Sequence, residues 1–132
     1  MLKILIIDDD EGIRIYLNNI VKKGFAAETC QAENGLKGLG VMRHEKPDII
    51  LLDISMPVMD GLKTLFAIRS DKEFNKTPVI ILTANSDKED IAKLLAMGIS
   101  DYILKPLVKE SVLERIKKVL EKTNLISKVE SN

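Results

Sequence analysis

Three aspartates, a threonine and a lysine stand at the ends of short apolar runs, and together these residue types could handle a phosphoryl group. They are Asp8, Asp9, Asp53, Thr83 and Lys105. Carboxylates can hold a divalent cation, and one of them can act as a nucleophile that forms an acyl phosphate. A hydroxyl and an ammonium can both donate to phosphate oxygens. The pattern therefore predicts a site for a divalent cation and for phosphoryl transfer.

Close approach of the three aspartates would require a counter-charge, because ionised carboxylates a few ångströms apart repel each other. Mg²⁺ takes oxygen ligands in an octahedron and keeps several waters, which suits two carboxylates, a backbone carbonyl and a phosphoryl oxygen. Each residue alone also has an ordinary explanation. The run from Asp8 to Asp10 suits the start of a helix, and a lone Lys105 would be a solvated lysine. The prediction therefore rests on the combination of these positions.

Alternating strand and helix patterns position these residues along the chain. Apolar runs of strand length are followed by stretches with apolar residues at helical spacing, and this happens five times. The predicted strands are residues 2–7, 27–32, 49–52, 79–82 and 101–104. Five successive βα units predict an α/β fold, a three-layer sandwich in which helices cover both faces of a parallel sheet.

The composition of the strands predicts their order in the sheet. The first, third and fourth strands are nearly all apolar, as strands buried on both faces must be, whereas the second and fifth carry polar residues and belong at the edges. The order 2-1-3-4-5 satisfies this condition. Ligands bind outside the carboxyl ends of parallel strands, where the strand order reverses. We therefore expect the crevice beside the first and third strands, which deliver the three aspartates.

Local signals predict where the helices begin and end. Gly24 is expected to end the first helix, and Gly98 to end the fourth. Ser86 and Glu89 match a capping box at the start of that fourth helix. Residues 123–132 are polar and poorly periodic, so we expect a frayed tail there.

Composition excludes several classes of protein. The 132 residues suit a single domain, and 20 basic residues balance 20 acidic ones, which favours neither nucleic acid nor a membrane surface as a direct partner. Cys30 is the only cysteine, so an intrachain disulfide is excluded. No apolar run approaches the roughly 20 residues of a membrane span, and the first residues carry no signal-peptide pattern. We expect a cytoplasmic protein.

Four segments, in this order and spacing, resemble the receiver domain of bacterial two-component response regulators. The segments are residues 4–10, 48–61, 78–84 and 98–106. The likeness covers about residues 1–122 and is close to the single-domain chemotaxis type. It implies a flavodoxin-like (βα)5 fold, and it leaves residues 123–132 as a polar C-terminal tail.

The resemblance implies a role in phosphoryl transfer for residues around the acidic cluster. Asp53 would be the phosphoacceptor, which takes its phosphoryl group from a sensor histidine kinase or a phosphotransfer protein. Asp9 and Asp53 would bind Mg²⁺ directly, while Asp8 would act mainly through water. Ser55 would supply its backbone carbonyl as the third protein ligand of the metal.

The resemblance also implies a switch. Thr83 would be the switch hydroxyl, Lys105 the phosphate-binding lysine, and Tyr102 the aromatic residue that moves inward on activation. The bond between Lys105 and Pro106 would be cis. These movements would change the face formed by the fourth helix, the fifth strand and the fifth helix, which would bind an unknown downstream protein. The protein would be a monomer or a phosphorylation-dependent dimer.

Three functions remain open from the sequence. The leading one is a phosphorelay signalling module that catalyses only its own phosphorylation and dephosphorylation. The second is the receiver portion of a longer DNA-binding transcription regulator or hybrid histidine kinase. The third, a metal-dependent phosphatase with an aspartyl nucleophile, ranks low. Such enzymes usually carry a second aspartate two residues after the nucleophile, where this chain has Ser55.

Overall fold

A computed structural model describes residues 1–84 and 88–129 and shows five strands that alternate with five α-helices. The strands are β1 (Lys3–Ile7), β2 (Glu28–Ala32), β3 (Ile49–Asp53), β4 (Val79–Thr83) and β5 (Asp101–Leu104). The helices are α1 (Glu11–Phe25), α2 (Gly35–Glu45), α3 (Gly61–Ser70), α4 (Lys88–Ala96) and α5 (Lys109–Lys122). In the described part of the chain, no helix combines the length and apolar content that crossing a membrane requires.

All five strands are parallel, and their order is β2-β1-β3-β4-β5, so the predicted sheet is confirmed. Every residue of β3 and β4 is buried, whereas the edge strands β2 and β5 are only partly buried. Neighbouring strands also end together: Asp53 pairs with Leu82, and Thr83 pairs with Leu104. The residues that follow the strands therefore meet at one edge of the sheet.

Alternation of side chains along the strands creates two hydrophobic cores, one on each face. Ile4 and Ile6 of β1 pack with α1 and α5, whereas Leu5 and Ile7 pack with α2, α3 and α4. This arrangement confirms the three-layer architecture. It also places the polar ends of the strands on a rigid apolar support.

Gly24 does not end α1, which corrects the prediction made from the sequence. The helix continues to Phe25, and the residue with left-handed backbone is Ala26, with φ of 51°. A Cβ at Gly24 would lie 2.6 Å from a methyl carbon of Leu113 in α5. The glycine therefore permits close contact between two helices rather than a helix end.

The structure describes the predicted end of α4 but not the residue that was predicted to cap its start. Ser86, the predicted cap, lies outside the described residues, and α4 is described from Lys88. The helix ends at Ala96. Gly98 follows shortly after it with φ of +84°, the left-handed backbone conformation that glycine commonly adopts after a helix end.

Leu125 and Val129 are held against the domain, so the expectation of a frayed tail is wrong for the segment up to residue 129, although its other residues are exposed. A short 3₁₀ helix, Ile126–Lys128, follows α5, and Leu125 and Val129 pack against the core between α1, α5 and the sheet. The Nζ atom of Lys128 lies 2.7 Å from the carboxylate of Asp48. The three apolar residues of this otherwise polar stretch, Leu125, Ile126 and Val129, are too few to predict this packing. The domain boundary at residue 122 stays a prediction.

Two glycines in α2 should respond in opposite directions to alanine substitution. A Cβ at Gly38 would lie 2.5 Å from Cδ1 and 3.0 Å from Cγ1 of the buried Ile7, whereas a Cβ at Gly40 would meet nothing within 4 Å. We expect Gly40→Ala to raise the free energy of unfolding by about 1 kcal/mol through helix propensity. Gly38→Ala should lower it by about 1–3 kcal/mol through overpacking. Urea denaturation measures both, and changes of the same sign would contradict this account.

Candidate functional site

Side chains from the ends of β1, β3 and β5 meet at the carboxyl edge of the sheet. Carboxylate oxygens of Asp8, Asp9 and Asp53, one from each residue, lie within 4.8 Å of one another. The Nζ atom of Lys105 lies 3.2 Å from Oδ1 of Asp53 and 3.4 Å from Oδ2 of Asp8. The structure thus brings together four residues that sequence spacing alone had placed at strand ends.

Thr83 and Lys105 are joined through the backbone. Thr83 is the last residue of β4 and is buried, and its carbonyl accepts a hydrogen bond of 2.7 Å from the N–H of Lys105. The peptide bond between Lys105 and Pro106 is cis, as expected. Ser55 follows two residues after the phosphoacceptor candidate, and its N–H donates to Oδ1 of Asp53 at 3.3 Å.

Tyr102 lies further from the acidic cluster, along β5. It pairs with Ile81, two residues before the end of β4, and its half-buried ring packs against the core on the α2, α3 and α4 face. The guanidinium carbon of Arg115 in α5 lies 5.5 Å from the centre of this ring. Arg115 also forms an ion pair of 2.9 Å with Asp101. The ring of Tyr102 therefore contacts α5 through Arg115 and lies away from the cluster of Asp8, Asp9 and Asp53.

Three hydrogen bonds that involve side chains hold the turn after β1. The N–H of Asp10 donates to Oδ1 of Asp8 at 2.9 Å, and the Asp10 side chain caps α1 by accepting from the N–H of Ile13 at 3.2 Å. The guanidinium of Arg14 donates to the carbonyl of Asp8 at 2.7 Å. Sequence reasoning did not identify Arg14. An arginine on a predicted helix is ordinarily solvated, so its position gives no distinctive signal.

The loop after β3 is fixed by the first turn of α3. Asp60 caps this helix by accepting from the N–H of Lys63 at 2.9 Å, and the N–H of Gly61 donates to the carbonyl of Ile54 at 3.0 Å. A Cβ at Gly61 would lie 2.5 Å from Cα of Ile54 and 2.6 Å from the carbonyl oxygen of Asp53. Only glycine permits this approach, so α3 directly supports the backbone that carries Asp53.

Burial changes the ionisation of the site. Asp8 is 0% exposed and Asp53 is 3% exposed. Desolvation, and then the charge of Asp8, raises the pKa of Asp53 to about 6, and desolvation also raises the pKa of Asp8. Burial disfavours the ammonium of Lys105, but the two carboxylates outweigh it and hold the pKa of this lysine above its ordinary value. One ammonium therefore compensates the carboxylates only in part.

The acidic cluster suits a divalent cation. Oxygen ligands around Mg²⁺, at bonds of about 2.1 Å, lie roughly 3–4 Å apart. The separations within 4.8 Å among Asp8, Asp9 and Asp53 are close to this spacing. A cation would also supply the positive charge that the buried carboxylates lack.

Fold and site together define a class of signalling domain, in which an acidic cluster and a lysine share the carboxyl edge of a five-stranded parallel sheet. The chain belongs to the response regulator receiver domain family, whose profile matches residues 4–117. Receiver domains act in phosphorelay signalling, generally use Mg²⁺, and interact with histidine kinases and downstream targets. The resemblance inferred from the four sequence segments is therefore confirmed.

Curated relatives of similar identity differ in length. The chain is 37% identical over 132 residues to the probable C4-dicarboxylate response regulator DctR of Bacillus subtilis, covering 98% of this chain and 56% of that protein. It is 38% identical over 118 residues to chemotaxis protein CheY of Listeria monocytogenes, covering 89% of this chain and 98% of the relative. The chain thus spans about half of one relative and nearly all of the other.

Solved structures show the same flavodoxin-like fold. The chemotaxis response regulator CheY4 of Vibrio cholerae superposes with a TM-score of 0.86 at 28% identity, covering 91% of this chain and 99% of that one. The receiver domain of a histidine kinase from Syntrophus aciditrophicus superposes with a TM-score of 0.84 at 27% identity, covering 100% and 97% of the two chains. The predicted fold is confirmed.

The raised pKa of Asp53 predicts how stability depends on pH in the metal-free protein. Between pH 3.8, the ordinary pKa of aspartate, and about pH 6, the folded chain holds the carboxyl proton of Asp53 more tightly than the unfolded chain does. Ionisation of Asp53 therefore lowers the free energy of unfolding as the pH rises through this window. Above the window, this loss of stability is complete. We expect Asp53→Asn to raise the Tm near neutral pH and to change it little below the ordinary pKa of aspartate.

Thermal unfolding in the presence of a chelator measures this difference at two pH values. Asp10→Asn is a matched control, because asparagine also caps a helix and Asp10 lies outside the cluster of Asp8, Asp9 and Asp53. An equal increase in Tm from Asp53→Asn at both pH values would contradict the assignment of the effect to ionisation.

Proposed function

We propose that this receiver accepts a phosphoryl group on Asp53 and works as a phosphorylation-controlled switch. The observation that supports this most is the position of the Asp53 carboxylate, which lies beside two further aspartates and 3.2 Å from the ammonium of Lys105. One carboxylate oxygen would attack the phosphorus of a kinase phosphohistidine. A P–O bond then forms, the P–N bond breaks, and the leaving imidazole keeps that electron pair and takes up a proton.

The residues around Asp53 fit Mg²⁺ as the resident cation. Asp9 and Asp53 would bind it directly, Asp8 would act mainly through water, and the backbone carbonyl of Ser55 would be the third protein ligand. When bound, Mg²⁺ would neutralise negative charge on the carboxylates and on the phosphoryl oxygens. The spacing of the carboxylate oxygens and the excess of buried negative charge support this part of the proposal.

Thr83 and Lys105 would bind the phosphoryl oxygens. The ammonium of Lys105 already lies beside Asp53 and would turn to the new group, since phosphorylation adds charge and strong acceptors there. The hydroxyl of Thr83 would donate a further hydrogen bond. The bond between the Thr83 carbonyl and the Lys105 N–H supports joint movement of the two residues.

The output would be a change in the face formed by α4, β5 and α5. A cleft of about 770 Å³ lies between the loop after β3 and α4, and Thr83, Leu62 and Ile91 contribute to its wall. Inward movement of Tyr102 would follow the shift of Thr83 and separate its ring from Arg115, which lies on that face. A downstream protein, or a second copy of the chain, would bind the altered face.

In this proposal the chain is a signalling domain that catalyses only its own phosphorylation and dephosphorylation. The presence of Ser55, where an aspartyl phosphatase would use an acidic residue, supports this choice. We also place the protein in the cytoplasm. The lone free thiol of Cys30 suits a reducing compartment.

A second candidate function is that of a receiver within a longer regulator or hybrid kinase. Two comparisons favour it: the chain covers only 56% of DctR, and its fold matches a receiver domain of a histidine kinase. In that case the output would pass to an attached domain. The length of the native reading frame separates the two candidates.

Substitution of the phosphoacceptor tests the proposed function directly. We expect Asp53→Asn to abolish phosphorylation, because the amide cannot attack the phosphorus of the donor. The wild-type chain is incubated with a small phosphodonor and Mg²⁺, and incorporation is measured as a mass increase of the intact protein. Chelation of Mg²⁺ should also prevent incorporation by the wild type.

Asp10→Asn serves as the control, since it removes a neighbouring carboxylate and preserves the cap of α1. This variant should be phosphorylated like the wild type. Undiminished phosphorylation of Asp53→Asn would show that the acceptor is a different residue and would refute the assignment.

A further inference from the structure

Asp9 differs from the other two site aspartates in how its side chain is held. Asp8 accepts from the N–H of Asp10 at 2.9 Å and from Lys105 at 3.4 Å, and Asp53 accepts from Lys105 at 3.2 Å. Within residues 1–84 and 88–129, the exposed carboxylate of Asp9 makes no hydrogen bond or ion pair. Its place within 4.8 Å of the other carboxylates therefore depends on the backbone that carries it.

Hydrogen bonds from residue 14 hold that backbone on both sides of Asp9, and the bond on the Asp8 side depends on the arginine side chain. Its guanidinium donates at 2.7 Å to the carbonyl of Asp8, which belongs to the peptide group directly before Asp9. Its backbone N–H donates at 3.1 Å to the carbonyl of Asp10, the residue directly after. Because a peptide group is planar, fixing the first carbonyl also fixes the direction in which the chain enters Asp9.

We propose that Arg14 is a positioning residue for the phosphorylation site. It holds the turn after β1 so that the Asp9 carboxylate stays beside Asp8 and Asp53, and it thereby increases the affinity for Mg²⁺. This inference rests on the proposed function, since it takes these aspartates as the site of the cation. Arg14 itself touches neither the metal nor the phosphoryl group.

The charge of Arg14 acts in the opposite direction to its hydrogen bond. A guanidinium near the acidic cluster repels a cation, so removal of the charge alone would strengthen Mg²⁺ binding. Loss of the bond to the Asp8 carbonyl would weaken binding, because Asp9 would then be free to turn away. Weaker Mg²⁺ binding by an uncharged variant would therefore indicate a positioning role for Arg14, and stronger binding would indicate that its charge dominates.

Calorimetric titration of the whole chain with MgCl2 tests the proposal. Arg14→Met removes the charge and the donor, and we expect the Kd for Mg²⁺ to rise about tenfold, as when an outer-shell partner of a metal site is lost. Arg14→Gln is uncharged and shorter, so it should weaken binding in the same direction. Arg14→Lys keeps a charge and a donor and should recover part of the affinity.

Arg43→Met is the matched control for the loss of a surface guanidinium. Arg43 lies in the last turn of α2 and pairs with Asp71 at 3.7 Å, away from the carboxyl edge of the sheet. This variant should bind Mg²⁺ like the wild type. A second readout, amide hydrogen exchange without metal, should show faster exchange at Asp10 in Arg14→Met while the core amide of Ile50 is unchanged.

Mg²⁺ binding by Arg14→Met and Arg14→Gln that equals or exceeds that of the wild type would overturn the proposal. Should Arg14→Met fail to fold, Arg14→Gln decides the question by the same criterion. A wild-type chain that binds no Mg²⁺ would overturn the proposed function together with this inference. That result is recognisable before any variant is compared.

Discussion

Three carboxylates share the carboxyl edge of the sheet with one ammonium, and this imbalance of charge governs the site. It is severe because Asp8 and Asp53 have almost no contact with water, so the charged forms lose solvation and the pKa of both residues rises. Lys105 relieves the repulsion only in part. A largely buried acidic cluster of this kind would bind a cation more readily than dispersed surface carboxylates.

The fold maintains this unfavourable cluster because the surrounding structure is rigid. Two hydrophobic cores hold the central strands from both faces, and each loop that carries an aspartate leads into a capped helix. Asp10 caps α1 directly after the first pair of aspartates, and Asp60 caps α3 after the loop that begins at Asp53. Gly61 then lets α3 contact the backbone below the phosphoacceptor candidate. The caps therefore stabilise both the helices and the positions of the carboxylates.

The sequence was sufficient to predict the sheet and the acidic cluster, and the physical reason is the parallel arrangement. Strands buried on both faces leave continuous apolar runs, and parallel strands that end together force the residues after them to one edge. Contacts between distant segments leave no such signal. The role of Gly24 depends on Leu113 in another helix, and the packing of Leu125 depends on the core below it. Arg14 was missed for a different reason, since its partner is a nearby backbone carbonyl, which no residue type in the sequence marks.

The sheet edge also explains how a local charge event would reach a distant face. Thr83 is paired with Leu104 and bonded through its carbonyl to Lys105, so β4 and β5 are linked where the phosphoryl group would bind. β5 is an edge strand with partial burial, and it can shift at less cost than β3 or β4. Arg115 holds Asp101 and stacks on Tyr102 at the same time. A movement of Tyr102 toward the site would therefore break its contact with α5 unless that helix moved too.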